Sequence, residues 1–259
     1  MSARKSGGED NEPFDVTALY APPENIRDGE IEFPDEEVHH LRDVLRRSEG
    51  CVVQVLDGCG GIFQARVERR GGKLAGQILE RSRNVPQSPE ILAALAVGRK
   101  ERMRFAVEKL AELGCSRIIP LLTAHVSFPG DPGRLAERLQ PVCISALKQS
   151  RQPFLTRVTN PLSFDGLAEY LASEEIIPVF CLKKTQIRTP GSRNRLGEAR
   201  GYCLVVGPEG GFDGGECGSI LDSGYPCLDL GPFTLRFETA AVAGAVLLRQ
   251  KLWGDQILY

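Results

Sequence analysis

From about Ile91 onward, short apolar runs alternate with segments of helical periodicity, and that alternation leaves few architectures open. Strands that alternate with helices form a mostly parallel sheet with helices packed on its faces. The runs Ile91–Val97, Arg117–Leu122, Ile176–Leu182, Tyr202–Val206 and Pro226–Leu230 read as strands. Between them, Glu101–Leu113 reads as a helix with Phe105, Leu110 and Leu113 on its apolar side and Gly114 as its stop. Asp131-Pro132 opens a helix that reaches Ser150, by cap and first-turn proline. Ser163–Leu171, a segment from Asp213 to near Gly224, and Glu238–Trp253 complete the set. Lys184–Arg200 is a long polar loop, a length that marks a functional or mobile segment.

Before residue 84 the pattern is different. One helix is expected, Glu36–Arg47, with Val38, Leu41, Val44 and Leu45 at helical spacing and Asp35 as its cap. Cys51–Leu56, the Asp57-Gly58 turn and Gly61–Val67 form a hairpin, and Gly71-Gly72-Lys73 turns into Leu74–Leu79. Strands this short close most naturally as a small β-barrel. Asn84-Val85-Pro86-Gln87-Ser88-Pro89 stops both helix and sheet. The expected organisation is therefore a polar, disordered tail over 1–13, a β-barrel over 14–85 and an α/β domain over 86–259.

Composition excludes several classes. An apolar share of 42% supports a core of ordinary size, and the first thirty residues show no secretory apolar stretch. No apolar run is long enough to span a bilayer, so a cytoplasmic protein is expected. The eight cysteines contain no C-x-x-C pair and share no ligand spacing with the three histidines, so they read as small core residues and no metal is expected. Net charge is −2, but residues 1–37 hold eleven acids against three bases, −8, which leaves +6 on the remainder. That excess gathers in 66–83, 99–117 and 148–157, as solvated helix faces or as a phosphate footprint.

The chemistry concentrates in Val205–Ala241. Gly207-Pro208-Glu209-Gly210-Gly211 and Leu230-Gly231-Pro232 each follow a strand and precede a helix. Loops at the carboxyl ends of parallel strands hold ligands, and two in tandem suggest one pocket. Neither loop is a Walker A or dinucleotide fingerprint. Leu235-Arg236-Phe237-Glu238-Thr239 brings a charge pair and a hydroxyl to a helix start. Glu238 and Thr239 read on their own as capping residues, whereas Arg236 calls for a partner, with Glu209 a candidate.

The stretch Val205–Phe212 with Leu230-Gly231-x-x-x-Leu235-Arg236-x-Glu238-Thr239-Ala240 resembles the RsmE family, ribosomal RNA small-subunit (uracil-N3)-methyltransferases of the SPOUT superfamily. Further agreement comes from His40-Leu41-x-x-Val44-Leu45-Arg46, from Lys100 to Met103 with Glu108 to Gly114, and from Ala146-x-x-Gln149-Ser150-x-x-Pro153. The resemblance implies a C-terminal SPOUT α/β domain with a deep trefoil knot, an N-terminal PUA-like RNA-binding β-barrel, a homodimer, and S-adenosylmethionine (SAM) as methyl donor. It implies 16S rRNA within the small subunit as substrate. The SAM-binding residues it implies are Leu182, Lys183, Val206, Gly207, Pro208, Glu209, Gly210, Gly211, Leu230, Gly231, Leu235 and Thr239. His40, Arg46, Arg99, Lys100, Arg102 and Arg151 would meet RNA.

Methylation of N3 requires loss of an imide proton, and the resulting anion spreads onto two carbonyl oxygens. A fixed cation there would stabilise it. Arg236 is the expected cation, with Glu238 as base or as orienter of Arg236. The chain has Phe233, Phe237 and Lys148 where the family usually has Arg, Thr and Glu. Those departures motivate two alternatives: an RNA-binding protein of the same fold with impaired catalysis, or a SPOUT enzyme acting at another RNA position.

Overall fold

The structure is a computed structural model that describes residues 16–44, 49–125, 131–182, 196 and 199–254. The expected disordered tail, Arg46, Lys183 and most of the Lys184–Arg200 loop lie outside the described residues. Two compact units divide the chain: one takes in the chain up to Asp57 with Gly61–Arg83, the other Gly58–Gly60 and everything from Asn84.

The first unit holds β1 (Ala18–Tyr20), β2 (Ile26–Arg27), β3 (Glu30–Glu32), α1 (Asp35–His39), β4 (Val52–Leu56), β5 (Gly61–Arg70) and β6 (Lys73–Arg83). They form one six-stranded sheet in the order β1-β4-β5-β6-β3-β2. Alternation along β4 and β5 turns Val53, Val55, Ala65 and Val67 into a shared core with Leu19, Ile31 and Leu41. The hairpin strands run longer than the apolar pattern, because exposed polar residues extend the ladder to Arg70 and Arg83. The α-helix is shorter than expected: it gives way to a π-turn over His40–Val44. Its N-cap is Pro34 rather than Asp35, which sits in the first turn, where a carboxylate favours the helix dipole.

The second unit contains β7 (Glu90–Ala96), α2 (Lys100–Glu112), β8 (Arg117–Leu122), α3 (Leu135–Ser150), β9 (Arg157–Val158), β10 (Leu162–Ser163), α4 (Phe164–Ser173), β11 (Ile176–Cys181), β12 (Gly201–Val206), α5 (Gly214–Asp222), β13 (Cys227–Leu228) and α6 (Phe237–Trp253). The sheet order is β10-β8-β7-β12-β11-β13, with β9 on β8, and every pair is parallel. All of Ile91–Val97 and Gly201–Val206 is buried, as unbroken apolar runs at the centre of a parallel sheet must be. Ile91, Ala93 and Leu95 face α2, α3 and α6, while Leu92 and Ala94 face α4 and α5. Helix α6 approaches the sheet so closely that a Cβ on Gly244 would meet Cys181 and Leu204 at 3.0 Å.

Local signals act as expected at several ends. Asp131 accepts from Gly133 N, although a short 3-10 turn, Pro132–Arg134, precedes α3. Asp213 and Glu216 form a reciprocal capping box on α5. Glu216 also accepts from Ala124 N at 2.9 Å, tying α5 to the loop after β8. Phe105, expected on the buried side of α2, is instead 47% exposed; the buried stripe is Met103, Ala106, Val107, Leu110 and Ala111. The final strand is only two residues long, because Asp229 turns back on Gly231.

At the amino ends of the strands, Arg117 binds Glu90 at 3.0 Å and Glu174 at 3.2 Å, and meets the Tyr170 hydroxyl at 2.6 Å. Arg200 adds longer pairs to the same two carboxylates. That end of the sheet carries a charge network.

All eight cysteines are thiols. Burial pushes Cys115 and Cys143 up to about 12, and Cys203 higher still. Thiolate is the reactive form, so at pH 8 to 9 these groups stay protonated in the native fold. Iodoacetamide at pH 8 is expected to label exposed Cys59 first, with Cys115, Cys143 and Cys203 labelled only after denaturation; peptide mass spectrometry reads the order.

Candidate active site

Neighbouring strands β12, β11 and β13 end side by side, and the loops that follow them line one cleft. The first contribution is Cys181 and Leu182, with Leu182 N donating to Leu228 O at 3.3 Å. The second is Val206 to Phe212. Gly211 N donates to Pro208 O at 2.8 Å, closing a turn in which Gly211 adopts φ 80°, a conformation that side chains resist. Gly207 must lack a Cβ, since one would lie 2.9 Å from the Phe212 ring. Phe212 is itself fixed by Phe164 and Phe180, with ring centroids at 5.8 and 6.0 Å.

The third contribution is Asp229 to Leu235. Asp229 Oδ1 accepts from Gly231 N at 3.0 Å, and Gly231 has φ 103°. Buried Leu182, Val206 and Phe237 make the floor, while Glu209, Gly210, Thr234 and Phe233 are exposed on the rim. No atom lies within 4 Å of where a Cβ would stand on Gly210 or Gly231, so both turns open onto free space.

Most residues expected to hold a cofactor therefore meet in one place: Leu182, Val206, Gly207, Pro208, Glu209, Gly210, Gly211, Leu230, Gly231 and Leu235. Thr239 does not line the cleft; it is exposed on the first turn of α6, pointing off its wall. Arg236 and Glu238 flank the cleft without lining it. Arg236 is the N-cap residue of α6, is exposed, and forms no ion pair among the described residues. The expected Arg236–Glu209 pair is absent there because Glu209 pairs with Arg102 instead. Neither Glu238 nor Thr239 caps the helix; no side chain caps it.

Arg102 was expected to meet RNA, yet it is three-quarters buried and committed to protein carboxylates. It pairs with Glu209 of the glycine loop, and its Nε lies 4.0 Å from Glu238 Oε2. That oxygen is buried and has no hydrogen-bond partner, so Arg102 is the cation that compensates it. The sequence hid this link because Arg102 and Glu209 are 107 positions apart. Asp229 was also overlooked, although an aspartate two residues before a glycine is a turn signal. Arg99 and Lys100, at the start of α2, are exposed; Arg151 and His40 are half-buried. Phe237 belongs to the core rather than to the rim, at 7% exposure against 81% for Phe233.

The fold and the cleft define a parallel α/β protein that takes its ligand beyond the carboxyl ends of neighbouring strands, in a chain that also carries a small β unit. The model of the RNA methyltransferase domain matches residues 86–249, and that of the RNA methyltransferase PUA domain matches residues 33–77; the chain belongs to the RNA methyltransferase family.

Its relatives include the ribosomal RNA small subunit methyltransferase E of Synechocystis, 28% identical over 86% of this chain and 73% of that protein. The Mycobacterium bovis protein of the same name is 29% identical over 84% of this chain and 86% of its own length. The enzyme of that name from Neisseria gonorrhoeae, solved bound to S-adenosyl methionine, is 27% identical, with a TM-score of 0.75 over 93% of this chain and 99% of the other. The resemblance to the RsmE family read from the motifs therefore holds.

Replacing Arg102 by alanine strands the buried Glu238 carboxylate, and a loss of roughly 2 kcal/mol in urea denaturation is expected. Adding Glu238→Gln to Arg102→Ala should recover part of that loss, because the uncompensated charge is gone; a strictly additive pair of effects would show that the two side chains are not coupled.

Proposed function

We propose that the chain transfers the methyl group of SAM to N3 of a uridine in 16S rRNA of the small ribosomal subunit. The observation that carries this reading is the single cleft where three parallel strand ends converge on two glycine turns with free space beside them. Its apolar floor and main-chain rim suit a flat nucleoside, and Leu182, Val206, Gly207–Gly211, Leu230, Gly231 and Leu235 would hold it. When bound, SAM supplies an electrophilic methyl group.

The protein's own task is to bring N3 into line with that methyl and to favour the imide anion, an effect of proximity and charge. Arg236 suits the second role: it is exposed beside the cleft, unpaired among the described residues, and at the positive end of α6. Glu238 suits proton acceptance. It stands beside the cleft one helical position after Phe237 of the floor, and its Oε2 has no hydrogen-bond partner.

Exposed Arg99 and Lys100, with Arg151 and His40, give candidate contacts to the RNA backbone. A homodimer is part of the same reading, supported by the exposed apolar side chains of Phe105, Val246 and Leu247 on packed helices α2 and α6. A deep trefoil knot in the α/β domain is part of the same reading, and it rests on the resemblance to the family alone. Among the described residues no helix is long and apolar enough to cross a membrane. The reading of impaired catalysis loses part of its motive, because Phe237 is a buried residue of the cleft floor and not a ring on the rim.

Incubation with labelled SAM and small subunits from cells lacking this chain, followed by mapping of the modified nucleotide, tests the proposal. One 3-methyluridine in 16S rRNA is expected; label on a ribose, or in transfer RNA alone, would refute it. Arg236→Ala is expected to lower kcat by about 10²- to 10³-fold while calorimetry shows SAM affinity kept. Near-normal turnover would remove Arg236 from the chemistry. Glu238→Gln should cost about 10²-fold or more if Glu238 is the base.

A further inference from the structure

Phe233 is the most exposed phenylalanine among the described residues, at 81%. It stands in the loop Gly231–Leu235, on the lip of the cleft. The other exposed residues of this loop are Gly231, whose positive φ makes the turn, Pro232 and polar Thr234. A benzyl group left in water forgoes the stabilisation that burial of its apolar surface would return. The second unit has buried places for such rings, since Phe164, Phe180 and Phe212 pack against one another a few residues away in space. An aromatic ring kept out of that cluster and held at the mouth of a site is the informative kind of exposure.

What would cover it follows from its neighbours. The cleft floor is already apolar and buried, through Leu182, Val206 and Phe237. A ligand in the floor needs nothing from a ring that points outward. Beyond Phe233 comes exposed Arg236, so the lip carries an aromatic face and a cation three positions apart. Unstacked bases of single-stranded RNA are gripped by that combination: a ring under the base and a guanidinium near its carbonyls or the backbone.

We infer that Phe233 is a specificity-determining residue, a stacking platform for an unstacked base of the RNA substrate as it enters the cleft. The inference rests on the proposed function, because it takes RNA to be the substrate. Stacking on an aromatic side chain tolerates any base but requires a π-face, so the site demands that the target segment be single-stranded and splayed there. Phe233 thus selects by conformation, and Arg236 acts on the base so presented.

The test compares the wild-type chain with Phe233→Ala, Phe233→Leu, Phe233→Tyr and Phe233→Trp, using small ribosomal subunits and labelled SAM. Wild-type turnover comes first: none would overturn the proposed function, and the stacking site with it. Given turnover, Phe233→Ala and Phe233→Leu should raise KM for the subunit by roughly 5- to 100-fold, the range of one lost base stack, with the SAM dissociation constant unchanged in calorimetry. Phe233→Tyr and Phe233→Trp should stay within about twofold of wild type, which also shows that the loop folds when substituted. Full activity in Phe233→Leu would mean that only apolar bulk matters and would overturn the stacking role alone. An unchanged KM for RNA with weakened SAM binding would make Phe233 a cover for the cofactor, and would overturn it too.

Discussion

The two central strands, β7 and β12, are buried on both faces, and the rest of the α/β unit follows from that constraint. A strand with no polar face can pair only with others like it and must be covered by helices on each side. At the amino-terminal edge Arg117 and Arg200 pair with Glu90 and Glu174. Room for a ligand is left beyond the carboxyl edge, where β12, β11 and β13 end together. Position in the sheet, more than the identity of any one loop residue, makes this the site.

Beside the cleft, one arginine joins segments that lie far apart in the chain. Arg102, near the start of α2, binds Glu209 of the glycine turn and lies beside the buried Glu238 oxygen of α6. Three segments far apart in the chain are thereby held to one guanidinium. The planar guanidinium presents its donors in a fixed fork, so its different edges face the two carboxylates, whereas a lysine would offer a single point charge on a flexible stem. The conformation of the turn and the position of the first turn of α6 are coupled through this residue.

Much of this was legible in the sequence because it is written locally. Helix and strand order, the Asp213 cap and the two glycine turns follow from periodicity and turn chemistry, and the like placement of the two turns after strands implies one pocket. What failed was long-range or depended on facing. Phe105 lies on the right helix but on its exposed side. Glu209 is a plausible partner for Arg236 by charge alone, yet Arg102 reaches it from 107 positions away. Phe233 and Phe237 looked equivalent in the motif; the start of α6 turns one into the core and leaves the other in solvent. Spacing along a chain cannot report such differences when an extended residue and a helix start intervene between the two rings.

The glycine turns carry an implication for how this site can change over generations. Much of the cleft wall is main chain, shaped by Gly207, Gly211 and Gly231 in conformations or close approaches that other residues resist. A surface of amide groups offers selection few side chains to exchange, so its preference for one ligand is effectively frozen. Variation is then channelled to the lip, where an exchange of one exposed residue alters what may approach and leaves the floor intact. A lineage that kept this cleft could acquire a new RNA target through such single steps, without passing through a state that had lost its methyl donor.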